Sequence, residues 1–174
     1  MESVQATTER VVEILCDDAL KGDSNRDKRK EMVSKTVKER FDWEAIARGA
    51  LAAHWRDLDR TQQEEFTELF GALLERTYLE YLDEYSGEEE IVYVSEEMEG
   101  TRARVNGKFI TRKKQEIPVE YRMRKRNGDW LISDVLVEGV SLVRNYRVQF
   151  NDIVSRSSYE DLVKRIKEKM EEDI

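Results

Sequence analysis

The succession of hydrophobic periods along the chain predicts an α+β domain. Apolar residues recur at helical spacing up to Ser86 and Gly87, tend to alternate with charged ones in four segments between Glu89 and Glu138, and return to helical spacing after Gly139. Helices, then an antiparallel meander, then helices again is a segregated α+β pattern rather than a series of βαβ units. A length of 174 residues with 39% hydrophobic content suits a single core. One domain is therefore expected over 1–174, helical over 1–86, a sheet over 89–138 and C-terminal helices over 140–171.

Val4, Val11, Val12, Ile14, Leu15 and Leu20 mark the first helix, which Gly22 and the polar residues after it end. Met32, Val33, Thr36 and Val37 mark a second helix over Asp27 to Arg40, against a densely charged face. Phe41 and Asp42 open a short third helix with the stripe Trp43, Ile46, Ala47, Ala50 and Leu51. Thr61 followed by Glu64 reads as a capping box, so a long helix is expected to start there. Phe66, Leu69, Phe70, Leu73, Leu74, Tyr78, Tyr81 and Leu82 give it one wide aromatic and aliphatic face.

Four strands are predicted: Ile91 to Met98, Arg102 to Thr111, Glu116 to Lys125 and Trp130 to Glu138. Asn127-Gly128 between the last two is a two-residue hairpin signal, because both central residues of a type I′ turn take positive φ. In the third strand Ile117, Val119, Tyr121 and Met123 share one face, while Glu116, Glu120, Arg122 and Arg124 share the other. Pro118 cannot donate to a ladder, which points to an edge or a bulge near that strand's start. In the fourth strand Trp130 and Ile132 alternate on one face, but Leu131, Val135 and Val137 are apolar too, so its inward face stays open. Val140, Leu142, Val143, Tyr146, Phe150 and Ile153 then form a helical stripe, and Ser158 with Asp161 caps a last helix to about Met170.

Composition removes several function classes. With 38 acids against 30 bases the net charge is -8, which argues against a general nucleic-acid or anionic-membrane binder. No apolar stretch approaches the length of a bilayer span. The chain has one histidine, His54, and one cysteine, Cys16, with no metal-ligand spacing and no glycine-rich phosphate loop. Adjacent acids such as Glu64-Glu65 and Glu171-Glu172 point apart on a helix. No catalytic residue, metal or cofactor is therefore expected. Cys16 alone makes no internal disulfide and is neutral about compartment.

Three separated segments carry a family resemblance: FDWEAIARGALAAHWR (Phe41 to Arg56), TQQEEFTELFGALLERTYLEYLDEYSGE (Thr61 to Glu88), and IPVEYRMRKRNGDWLISDVLVEGVSLVRNYRVQF (Ile117 to Phe150). In this order they resemble the MlaC or toluene-tolerance proteins, the periplasmic lipid-binding components of an ABC transport system. Ala52 stands where many relatives carry glycine, and the tail from Glu168 is unusually charged. The resemblance implies a curved four-stranded antiparallel sheet packed with several helices around an apolar pocket for acyl tails. It implies a phospholipid carrier without enzymatic activity, whose shuttling maintains outer-membrane lipid asymmetry. The implied location is the periplasm, with a signal peptide removed. The implied partners are phospholipid, an MlaA-like outer-membrane lipoprotein with its porin, and the MlaD-like ring of an inner-membrane ABC complex, with no nucleic acid and the carrier itself a monomer. The alternative is a protein-binding module of the same fold that holds no lipid.

On that reading the residues expected against the tails are Phe66, Phe70, Leu73 and Tyr78 of the long helix, Val119, Tyr121, Trp130 and Ile132 of the sheet, and Leu142, Tyr146 and Phe150 beyond it. Each would otherwise serve as ordinary core. Arg144 and Arg147 are the candidates for a phosphate headgroup or a partner, because a guanidinium fork matches phosphate oxygens.

Overall fold

In the computed structural model, which describes residues 1–172, the elements follow the predicted order. Helices α1 (Glu2–Cys16), α2 (Arg26–Lys38), α3 (Trp43–Leu51) and α4 (Arg60–Asp83) precede strands β1 (Glu90–Glu99), β2 (Arg102–Ile110), β3 (Glu116–Arg126) and β4 (Asp129–Val137). A two-residue strand β5 (Val140–Ser141) leads into helices α5 (Leu142–Arg156) and α6 (Tyr159–Glu171). The first helix stops at Cys16 rather than Leu20, because the Asp17 carboxylate accepts the Ala19 N–H at 2.9 Å and starts a separate 3₁₀ turn. Helix α4 begins one residue before the predicted Thr61. Its capping box is Asp59 with Gln62: the Asp59 carboxylate accepts the Gln62 backbone N–H at 2.8 Å, and the Gln62 side-chain Oε1 accepts the Asp59 backbone N–H at 3.0 Å. Thr61 lies inside the first turn, where a hydroxyl has no capping role.

The sheet runs in the order β1-β2-β3-β4-β5 with every neighbouring pair antiparallel. Asn127 and Gly128 both take positive φ, as the hairpin signal requires. Glu138 and Gly139 do the same and fold β5 back onto β4, an addition too short to leave an alternating pattern. Pro118 lies neither on an edge strand nor at a bulge. Its carbonyl accepts from the Glu138 N–H at 2.9 Å, just beyond the last β4 partner, Val137. In an antiparallel strand the N–H and C=O of one residue point the same way, so the missing donor faces the place where the ladder is already ending.

A register shift resolves the fourth strand. Met123 pairs with Ile132 but Arg122 with Asp134, so Ser133 is the extra residue. Trp130 and Ile132 before the bulge, and Val135 and Val137 after it, therefore share one face, while Asp134 and Leu136 are buried on the other. The core has three parts. Helices α3 to α6 close over Phe66, Phe70, Tyr146, Phe150 and Leu162. Val4 of α1 covers Ala103, Val105, Met123 and Ile132 of the sheet. Val11, Ile14, Leu20 and Val33 join α1 to α2. The junction of α2 and α3 is stitched to β4: the Asp42 N–H donates to the Ile132 carbonyl and the Ile132 N–H to the Arg40 carbonyl, each at 2.8 Å.

Candidate functional site

The wide apolar face of α4 is used in two ways along its length. Its first half is filled. Phe66, Phe70, Tyr146 and Phe150 contact one another with ring centroids 5.1 to 5.8 Å apart, in tilted, stacked and edge-on pairs that leave no room for a ligand. Its second half, from Leu74 to Leu82, instead borders a cavity of about 480 Å³. Across it stand Val37 of α2, the stacked pair Phe41 and Trp43 (centroids 5.3 Å apart), Ile46 of α3, Val135 and Val137 of β4, Val140 of β5 and Leu142 of α5. Val137, Val140 and Tyr78 remain substantially exposed, which marks the mouth of the cavity.

Polar groups are confined to a few wall positions: Ser34, Lys38, Glu75, Ser141 and Asn145. The Glu75 carboxylate is engaged by the Lys38 ammonium at 2.7 Å and by the Ser34 hydroxyl. Ser141 is occupied as well. Its oxygen accepts the Arg144 N–H at 3.0 Å as the N-cap of α5, and its hydroxyl donates to Asp134, which also accepts the Val143 N–H at 3.1 Å. This double cap fixes where α5 starts and so where Leu142 enters the cavity wall. Tyr78 stands at the boundary between the filled and open halves. Burial, with a hydrogen bond to Tyr146 second, pushes its phenol well above the ordinary tyrosine range.

Of the eleven residues expected against the tails, Tyr78 and Leu142 line this cavity. Phe66, Phe70, Leu73, Tyr146 and Phe150 lie in the helical core, and Ile132 is buried beneath α1 with Tyr121 and Trp130 packed beside it. Trp130 also carries the Lys125 ammonium 5.9 Å from its ring centroid. Val119 and Tyr121 are the cross-strand partners of the lining residues Val137 and Val135. Arg144 is exposed, and the Arg147 guanidinium donates to the Gly49 carbonyl at 2.7 Å; neither borders the cavity. Sequence reasoning missed Val37, Phe41, Trp43, Leu79, Val135, Val137 and Val140 as wall residues. The available signal was that α2 and α4 both carry apolar residues near their C-terminal ends, facing a strand with apolar residues on both faces.

Cys16 is exposed and free, while the His54 ring nitrogen lies 3.4 Å from the Ser155 hydroxyl. Among the described residues no group of three metal-ligating side chains is placed to hold an ion, and no helix is long and apolar enough to cross a membrane.

The sequence profile of the MlaC protein family matches residues 5–168. The chain belongs to the MlaC family. One curated relative is the toluene tolerance protein ttg2D of Pseudomonas putida, 30% identical over 105 residues, which make up 60% of this chain and 48% of that protein. The match thus spans about half the length of that relative. Among solved structures, a phospholipid-binding protein of Ralstonia solanacearum, determined in complex with a phospholipid, superposes with a TM-score of 0.83 at 24% identity. The alignment covers 96% of this chain and 94% of that one, so the two share a fold over almost their whole length.

Proposed function

We propose that this protein is a periplasmic phospholipid carrier that holds acyl tail in the cavity between α2, the second half of α4 and the β4–β5 turn, and passes it between membrane complexes. The observation that supports this reading is the cavity itself, an open space of about 480 Å³ walled chiefly by apolar side chains in a member of the MlaC family. A dry cavity of about 150 Å³ accommodates benzene, so this one admits roughly three times as many carbons, about the length of one long acyl chain. A second chain would need the exposed mouth at Val137 and Val140 to widen. Exposure of a chain of about 15 methylenes to water costs on the order of 12 kcal/mol, which makes unassisted passage between membranes negligible. Handover needs no bond chemistry in the carrier, in keeping with a non-enzymatic role.

The headgroup would remain at the rim, where Lys38 and Asn145 offer donors, rather than at Arg144 and Arg147. An MlaA-like lipoprotein with its porin and an MlaD-like ring of an inner-membrane ABC complex are the proposed exchange partners. Organic extraction of the purified protein followed by mass spectrometry tests the reading. Stoichiometric phospholipid is expected. A lipid-free extract from protein that also takes up no lipid from vesicles would instead favour a protein-binding module of the same fold.

A further inference from the structure

The outward face of the sheet carries an arrangement that the lipid reading leaves unused. Arg104 pairs directly with Arg122 across β2 and β3, and Arg102 with Arg124, so four arginines form a square on one face. Like charges directly opposite on neighbouring strands destabilise a sheet, and they stand here in a chain with eight more acids than bases. Arg122 is held by Glu120 at 2.9 Å, but the side chains of Arg102, Arg104 and Arg124 make no hydrogen bond or ion pair among the described residues. Glu97 and Glu99 of β1 are the direct cross-strand partners of Arg104 and Arg102 but close no ion pair with them.

This square, flanked by Glu97, Glu99 and the already hydrogen-bonded Asp134, forms one wall of a polar cleft of about 820 Å³ whose other wall is made by α3 and α5, so that with Arg147 five guanidiniums face three carboxylates. The cleft shares no residue with the apolar cavity. On the helix side Ala45 and Gly49 keep the wall low, and Arg147 adds a fifth guanidinium held in place by the Gly49 carbonyl. A guanidinium fork binds a carboxylate through two parallel hydrogen bonds, so the cleft suits a series of carboxylates spaced along a chain. A planar bilayer cannot follow a concave cleft, and the net charge of -8 repels an anionic membrane as a whole.

We propose that this arginine-lined cleft is the docking site for an acidic segment of a partner protein. The inference stands independently of the lipid cavity. The test uses the full chain and a dye-labelled octaglutamate peptide, with affinity read by fluorescence anisotropy at low salt. The double substitution Arg104→Gln with Arg122→Gln should weaken peptide binding at least tenfold. The control pair Arg156→Gln with Arg165→Gln, which removes the same charge from the helices, should change it less than twofold. Phospholipid content should be unaltered in both, and neither pair should lower the unfolding midpoint, the first raising it if anything by relieving the opposed charges. On the wild-type protein, a photo-crosslinking version of the peptide should attach to β2, β3 or α5, an outcome that does not depend on how the variants fold. Failure of the wild type to bind the peptide, equal loss in the control pair, crosslinks confined to other elements, or Arg104-dependent binding to phosphatidylglycerol vesicles or inorganic phosphate in preference to the peptide would each overturn the proposal.

Discussion

Replacing Val37 by phenylalanine should weaken phospholipid binding about 200-fold while leaving the fold at least as stable. Val37 lies on the α2 wall of the cavity, facing Leu79 and Leu82 of α4. The substitution adds about four carbons to the space that the tail would occupy. At about 0.8 kcal/mol per displaced methylene the tail loses roughly 3 kcal/mol of burial, and each 1.4 kcal/mol is a factor of ten in affinity. In lipid-free protein the added ring gains dispersion contacts with the apolar cavity wall, so the urea midpoint should hold or rise. Affinity is measured by displacement of a fluorescent fatty acid, with extraction and mass spectrometry of the co-purified lipid beside it. Val135→Phe, from the opposite wall, should act in the same way. Wild-type affinity and full lipid occupancy in both variants, each folded, would place the tails elsewhere.

Three further outcomes test the architecture. Ala52 holds φ of 51° and ψ of -122° at the end of α3, a conformation natural only to glycine, so Ala52→Gly should raise stability by about 1 kcal/mol in urea unfolding; a lower midpoint would refute the strain. A Cβ on Gly49 would lie 2.8 Å from Val143 Cγ1, so Gly49→Ala should cost about 1 to 3 kcal/mol, and Val143→Ala in the same chain should restore part of the loss if that contact is the cause. Burial pushes the Tyr121 phenol up to about 12, with Tyr93 adding to the shift. The unfolded phenol titrates near 10, so the stabilising contribution is complete below pH 10 and is lost as pH rises toward 12, on the order of 2 to 3 kcal/mol. Tyr121→Phe should flatten that alkaline decline in unfolding free energy, and an unchanged slope would remove Tyr121 as its source.

The helices and strands were legible because their signals are local. Asn127-Gly128 favours the positive φ of a two-residue turn through its own backbone preference, and Ser158 accepts the Asp161 N–H at 3.0 Å as its sequence position suggests. The capping of α4 was displaced to Asp59 because two overlapping pairs, Asp59 with Gln62 and Thr61 with Glu64, both satisfy the pattern, and the choice depends on where the preceding chain, extended through Leu58 and Asp59, turns helical. The bulge at Ser133 was invisible because one extra residue exchanges the two faces of a strand without altering its composition.

The amino-acid sequence by itself determined the α+β order, the length of α4 with its apolar face, the hairpin at Asn127, and, through three matching segments, the family. Only the tertiary structure decided which part of that apolar face is filled and which is open. Phe66 and Tyr78 look alike in a helical period, yet Phe66 meets Phe70 and Phe150, while Tyr78 looks onto the gap between α2, β4 and α5. A cavity is the absence of a neighbour, and the neighbours of α4 come from residues 37 to 46 and 135 to 145, placed by the Phe41–Ile132 bridge and by the cap that Asp134 and Ser141 form on α5. Periodicity reports that a side chain prefers to leave water; it carries no information about whether protein or ligand will cover it.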